Sequence, residues 1–432
     1  MKKEIKNKLN TEKIILISII ILAIVLRIVF VLKTDIKEYQ FDFGISKLES
    51  MQDYDRLYTD FDSIEDGNIG RHINYIMHLY TFGSLPNEII GQFYHPPLHH
   101  AITALWLKVM DFFSDSSMLK MESIQVLPLI YSIVILFALY RILDELEIKN
   151  KIIPMLLFAF YPLFIFMSGA VNNDQLVTMF SVLTLLYLMK WSKNPIMKNA
   201  ILMSIFLGLG MMTKTVIYIL IVPAMFVYFS MLNKFVVENK KIGNMLIQLL
   251  IATIIIGVSG TWFHITRAMQ NLNTIGIIQP HEKLSIAQYG FWERFGVFNI
   301  FNPNQININL WSNLINTSLG FVLEKINLII NAIKVILVLV IAFITIYYTL
   351  KNKQNKILLI TLITWWLGYF YLNISMPYIC SMHARYMVVP IYIGIIILSN
   401  GIDKEENKVI KNLIYFSTIL LSLFSIVEFL MM

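Results

Sequence analysis

The sequence predicts an all-α polytopic membrane protein with about eleven transmembrane helices. Hydrophobic residues make up 57% of the 432 positions and charged residues only 15%, where a soluble domain carries roughly 25% charged. Mean hydropathy is +0.66. The apolar residues fall in uninterrupted runs of about 15–22, the length that crosses a hydrocarbon core ~30 Å thick. These features exclude a soluble enzyme, a disordered scaffold and a nucleic-acid-binding domain, so no nucleic acid is expected as a partner. The single cysteine, Cys380, rules out an intramolecular disulfide and argues against a thiolate metal site.

Taken in order, the first span (14–32) follows a start rich in lysine and carries Arg27 in its interior. It is too long, and lacks the small-residue cleavage site, for a signal peptide. Residues 33–122 form a loop far longer than a connection requires. Within that loop Leu98, Ala101, Ile102, Leu105, Val109 and Phe112 recur at helical spacing after Pro96 and Pro97, which predicts an amphipathic helix lying at the membrane surface. Spans 123–141 and 152–169 are joined by a charged segment. Span 173–189 opens on Asn172-Asn173-Asp174, residue types that also cap helices. Spans 199–213 and 215–231 are separated by Lys214 alone, and span 245–264 leads to Arg267 and a second long segment, 267–328. Spans 329–350, 357–373, 386–400 and 412–430 complete the chain. No internal repeat is evident; the chain reads as a single transmembrane domain, 1–432, without a separate soluble domain.

Orientation follows from basic residues in short loops. With the amino terminus in the cytoplasm, the inner segments collect 20 of the 35 Lys and Arg but only 9 of the 28 Asp and Glu. The two long loops then face outward, and all eight histidines (72, 78, 95, 99, 100, 264, 281 and 383) lie on that side. An extracytoplasmic active site in the cell membrane is expected.

That side also holds the chemistry-bearing residues. Asp42, among aromatics in Tyr39-Gln40-Phe41-Asp42-Phe43-Gly44 just after the first span, suits a general base with a tuned pKa; Asp66, ahead of His72, is its rival. Lys214, Arg267 and Arg385 are cations at outer span ends. Each can snorkel to headgroups, but three fixed cations beside an apolar groove also suit a lipid-linked phosphate.

The order of segments now points to a family. One span and an outer loop with an early Asp are followed by Gly70-Arg71-His72-Ile73-Asn74-Tyr75-Ile76, Gly83-Ser84-Leu85-Pro86 and Gln92-Phe93-Tyr94-His95-Pro96-Pro97-Leu98-His99-His100. Asn172-Asn173-Asp174, Gly208-Leu209-Gly210-Met211-Met212-Thr213-Lys214 and Ala384-Arg385-Tyr386 come later. This resembles the GT-C superfamily of polytopic glycosyltransferases, in the branch of the protein O-mannosyltransferases and the lipid A aminoarabinose transferases, as a bacterial member.

The resemblance implies a polyprenyl-phosphate-linked sugar donor, an extracytoplasmic acceptor (protein, glycan or lipid) and contact with membrane lipids. It implies Asp42, or else Asp66, as catalytic base. Arg71, His95, Lys214, Arg267 and Arg385 would bind the donor's lipid phosphate. His95 stands where the aminoarabinose enzymes carry Lys before two prolines. His72, Tyr75, Tyr94, His99, Asn173, Asp174 and Tyr386 would line the substrate pocket. Many relatives have Asp-Glu where this chain has Asp42-Phe43; no cofactor is assigned, and a divalent metal is left open. A lipid-linked sugar flippase or other transporter, or a non-catalytic cell-envelope scaffold, are the alternatives. A transporter should place ionisable groups mid-span, whereas here Arg27 is nearly alone there.

Overall fold

The computed structural model describes residues 2–37, 54–55, 72–89, 91–238, 242–272, 274, 285–297, 308–319 and 328–432. Among them the longer helices are α1 (Lys2–Lys33), α2 (His72–Phe82), α3 (Leu98–Met110), α4 (Val126–Glu145), α5 (Ile152–Phe160), α6 (Asn173–Lys193) and α7 (Met197–Met211). They continue with α8 (Ile221–Val237), α9 (Gly243–Met269), α10 (Leu310–Ser318), α11 (Leu328–Lys351), α12 (Lys356–Ser375), α13 (Val388–Lys404) and α14 (Lys408–Met431). No strand occurs among the described residues, only an isolated bridge between Ser285 and Tyr378. The protein is an all-α polytopic membrane protein.

Among the described residues eight helices are long and apolar enough to cross a bilayer: α1, α4, α8, α9, α11, α12, α13 and α14, some lengthened by a preceding turn. They coincide with eight of the eleven spans expected from sequence. The other three differ for physical reasons. Span 152–169 breaks after α5, where Pro162 lacks an N–H and holds Tyr161 extended (φ −64°, ψ 128°). Span 173–189 is the continuous helix α6, but Asn173, Asp174, Gln175, Lys190 and Lys193 dilute its apolar character, and most of its residues are buried in protein. Span 199–213 is α7, whose 15 residues rise only about 22 Å at 1.5 Å each.

The chain divides into two compact units. The first holds 34–135 and 168–280. Its α2 and α3 share a small core of Ile73, Ile76, Met77, Ala104 and Leu107, which also takes in Ile36 and Tyr54. Glu122, ahead of α4, accepts from the Ile36 N–H at 2.7 Å, the Tyr54 hydroxyl at 3.1 Å and Gln125 at 3.2 Å. That carboxylate fastens two points of the first long loop. Deeper in the unit α7 packs on α6 and α9, and glycines set the approach. A Cβ on Gly208 would stand 2.0 Å from Ser259 Oγ, and one on Gly210 2.1 Å from Ile217 Cδ1. The Gly208-Leu209-Gly210 stretch is therefore a packing device.

The second unit holds 1–33, 136–167 and 281–432. Arg27, fully enclosed within α1, donates to the carbonyls of Ala159 (2.8 Å), Phe158 (3.1 Å) and Ala23 (3.1 Å). Two of these are carbonyls left over where α5 ends at the break, so an arginine inside a span serves as that helix's C-terminal cap. Lys334 of α11 and Glu428 of α14 form a buried ion pair. The Ala384 N–H donates to Thr317 Oγ1 at 2.8 Å, joining α10 to the turn before α13.

Candidate functional site

The helical period places His72, Tyr75 and Ile76 on one buried face of α2. On α3 the buried face is His99, His100, Thr103, Ala104 and Leu107, while Leu105, Val109 and Phe112 are exposed. The helix is amphipathic as its sequence predicts, yet the histidines face protein and the apolar stripe faces outward. Pro97 supplies the N-cap and the Leu98 N–H donates to the Met212 carbonyl at 2.9 Å. This tie brings α3 against the turn that ends α7.

Four imidazoles meet there. His72 Nδ1 lies 2.9 Å from His100 Nε2, with the rings nearly parallel and 5.2 Å apart. His95 stacks on His72 at 5.6 Å, and the Tyr94 ring lies 4.2 Å from His95. His99 meets His100 edge-on at 5.3 Å, and Tyr75 stacks on His100 at 4.3 Å. Tyr75 also donates to the His95 carbonyl at 3.4 Å. Burial holds the His99 pKa down at about 4, with Asp174 opposing the shift and Lys214 adding to it. Burial, joined by His72, His99, His95 and Lys214, drives His100 well below the ordinary value. Both rings are neutral at physiological pH. Burial raises the Tyr75 hydroxyl above its usual value, against the pull of Arg267.

The N-terminus of α6 adds the next layer. Asn172 caps it, its Oδ1 accepting from the Asp174 N–H at 2.9 Å, so the capping reading of this motif holds for Asn172. Asn173 instead donates to the Thr213 carbonyl at 3.4 Å, and Asp174 takes the Lys214 ammonium at 2.5 Å. Both partners of that ion pair are buried. Lys214 therefore does not snorkel, and its charge is already matched by a carboxylate.

Arg267, in the last turn of α9, is completely enclosed. Its Nη1 reaches Gln270 Oε1 at 3.1 Å. Its Nε and Nη2 find no hydrogen-bond partner among the described residues, and neither do the two nitrogens of His99, Nδ1 of His100, Nδ2 of Asn172 and Oδ1 of Asn173. Buried polar atoms are nearly always matched; a cluster of unmatched ones marks a place built for a polar ligand or ordered water. Arg267 also faces Tyr75 electrostatically, which joins the guanidinium to the imidazole group.

The sequence-predicted residues thus sort clearly. His72, Tyr75, Tyr94, His95, His99, Asn173, Asp174, Lys214 and Arg267 all belong to the first unit. Arg385 and Tyr386 belong to the second, where the guanidinium lies 5.0 Å from the Tyr386 ring centre and donates to its hydroxyl at 3.3 Å. Asp42, Asp66 and Arg71 lie outside the described residues. No group of three or more His, Cys, Asp or Glu side chains among the described residues is arranged to hold a metal ion. His100 and Gln175 were not singled out by sequence reasoning. The spacing of His100, Thr103, Ala104 and Leu107 is a helical face that the more obvious apolar stripe conceals.

Residues 94–264 match the model of a family described as dolichyl-phosphate-mannose-protein mannosyltransferase. Over this stretch the chain is similar to GT-C glycosyltransferases. The matched segment runs from the histidine-rich turn through the Asp174–Lys214 pair to the end of α9, and Arg267 lies three residues beyond it. No curated protein matches the chain.

Proposed function

We propose that this protein is a membrane glycosyltransferase that moves a sugar from a polyprenyl-phosphate donor to an acceptor hydroxyl on the extracytoplasmic face. The observation that carries the reading is Arg267: a fully enclosed guanidinium with two nitrogens unmatched among the described residues, beside the stretch that matches a mannosyltransferase family. An uncompensated buried charge is costly, and a bound phosphodiester would supply both the counter-charge and the acceptors. The Asp174–Lys214 pair contributes no net charge, which leaves Arg267 as the principal cation of the first unit's site among the described residues. Arg71 and His95 are its proposed partners.

In the mechanism that follows, Asp42, with Asp66 as the alternative, takes the proton from the acceptor hydroxyl. The oxygen attacks the anomeric carbon, the bond to the phosphate oxygen breaks, and the phosphate leaves with the electron pair. Direct displacement inverts the anomeric centre. Arg267 stabilises the charge that develops on the leaving phosphate. Tyr94, His99 and Asn173 line the sugar side.

A transporter would use ionisable groups within the membrane as its pathway. Here Arg27 is engaged by backbone carbonyls and Lys334 by Glu428, so both are spent on structure. The test is lipid analysis of a deletion strain. One polyprenyl-phosphate sugar should accumulate, disappear on complementation with the wild-type gene, and persist with Arg267→Gln. Normal levels of every such lipid in the deletion strain would overturn the reading.

A further inference from the structure

We propose that the turn around Trp292 is a membrane anchor of the second unit, seated among the lipids of the leaflet at which α12 ends. Tyr289-Gly290-Phe291-Trp292 lies in the second long segment between spans, and a short helix, Phe291–Phe295, follows from it. Trp292 is 77% exposed, and Tyr289, Phe291 and Val297 beside it are exposed too. Single exposed apolar residues are ordinary, but a contiguous patch of them is a surface that meets a partner. What meets it follows from where the segment is fixed. The Ile286 N–H donates to the Pro377 carbonyl at 2.8 Å and Ser285 bridges Tyr378, so the segment starts level with the chain just past α12. It then turns back along that helix: Phe291 stacks on Phe295 at 4.8 Å, and Phe295 meets Phe370 with ring centres 6.4 Å apart. The 20 residues of α12, Lys356–Ser375, rise about 30 Å, the thickness of a hydrocarbon core. Phe370 lies about 7 Å inside its last residue, Ser375.

The lipid-facing stripe of this span is Ile363, Leu367, Tyr371 and Ile374, all exposed and three or four residues apart. Phe370 adjoins that stripe, so the rings of Phe295 and Phe291 continue it onto the turn, and the same lipid covers both. The residue types fit the boundary between hydrocarbon and headgroups, where an amphipathic Trp or Tyr ring is apolar on one side and wet on the other. The two charges of the turn fit that level as well. Glu293 is engaged by the Gly290 N–H at 2.7 Å, and the Arg294 guanidinium lies 5.1 Å from the Phe295 ring, on a stem long enough to snorkel to headgroups. The anchor also has something to hold. Trp311 Nε1 donates to the Phe295 carbonyl at 2.8 Å and Asn309 Nδ2 to the Gly296 carbonyl at 2.9 Å, which fastens the turn to the start of α10. At its other end α10 takes the Ala384 N–H on Thr317. Lipid contact at Trp292 thus steadies α10 and, through it, the turn that bears Arg385. No step of the proposed transfer reaction uses Trp292, so the anchor is independent of it.

The test uses full-length protein in nanodiscs of phosphatidylcholine and phosphatidylglycerol, with Cys380→Ser and a nitroxide spin label on Trp292→Cys. Labels on Tyr371→Cys, in the lipid stripe, and on Lys353→Cys, in the exposed loop before α12, are the lipid and water references. The label at position 292 should collide with dissolved oxygen about as readily as the one at 371. It should meet a water-soluble nickel chelate at least about threefold less than the one at 353. Nickel access equal to that at 353 would overturn the proposal and leave the patch as a platform facing water. Poor access to both reagents would overturn it too, in favour of a protein cover such as a second copy of the chain. Trp292→Glu should raise amide hydrogen exchange in α10 about tenfold or more, with Trp292→Phe close to wild type; exchange unchanged in Trp292→Glu would refute the steadying of α10. Should Trp292→Cys misfold, Phe291→Cys takes its place. Hydroxyl-radical oxidation of the wild-type protein needs no substitution: Trp292 should be protected in nanodiscs as Tyr371 is, and rapid oxidation of Trp292 alone would overturn the anchor.

Discussion

Replacing Asp174 with Asn keeps the shape of the side chain and removes the charge that faces Lys214. The pair is 2.5 Å apart, with Asp174 3% and Lys214 7% exposed, so water cannot take over the carboxylate's part. Stranding one partner of a buried pair costs about 3–5 kcal/mol. Asp174→Asn with Lys214→Met removes both charges and should fall within about 1 kcal/mol of wild type. The four proteins of this double-mutant cycle, unfolded with SDS in micelles and followed by tryptophan fluorescence, should show a coupling of about 5–9 kcal/mol, the two single losses less that of the double variant. Transfer activity then separates two roles for the lysine. If Lys214 also meets the donor phosphate, the double variant folds but works at least about tenfold more slowly. Additive losses, or a single-variant loss below about 1 kcal/mol, would refute the claim that this pair is desolvated.

Asp42→Asn should leave donor binding intact and cut turnover by ~10²–10⁴-fold, with Asp66→Asn within a few-fold of wild type; activity retained by Asp42→Asn but lost in Asp66→Asn would move the base down the loop. Stability should fall as pH drops from about 6.5 to 4, because unfolded His99 takes up a proton near 6.5 that the folded ring refuses until about 4. By linkage His99 then accounts for up to about 3 kcal/mol lost across that window, and SDS unfolding of His99→Gln should show a flatter slope. Cysteines placed at Asn150 or Asn352, with Cys380 replaced, should be shielded from an impermeant thiol reagent in intact cells, and ones at Ser63 or Asn304 labelled. The reverse pattern would invert the proposed orientation.

The membrane class was legible because it depends on composition alone: a span of lipid demands a run of apolar residues whatever its neighbours are, and α1, α9 and α14 are read directly from such runs. The amphipathic helix α3 was legible from its period, since Leu105, Val109 and Phe112 repeat at about 3.6 residues. Period alone says that a helix has two faces and not which one the protein covers. Only packing decided that the α3 histidines turn inward and its apolar stripe outward.

Span lengths in the middle of the chain show a similar division. An apolar run enclosed by protein looks like one enclosed by lipid, so the break at Pro162 and the shortness of α7 emerged only with neighbouring helices in place. The charged residues divide most sharply. Sequence gave Lys214 and Arg267 equal standing as cations at span ends, because charge and position along the chain are all it records. Whether a cation has a use to spare depends on what lies within about 3 Å of it in space. Asp174 comes to Lys214 from 40 residues away, while Arg267 is enclosed with two nitrogens unmatched among the described residues. Residue types were determined by the sequence; which of their charges remain uncompensated was decided by the fold, because burial removes the water that would otherwise have matched them all.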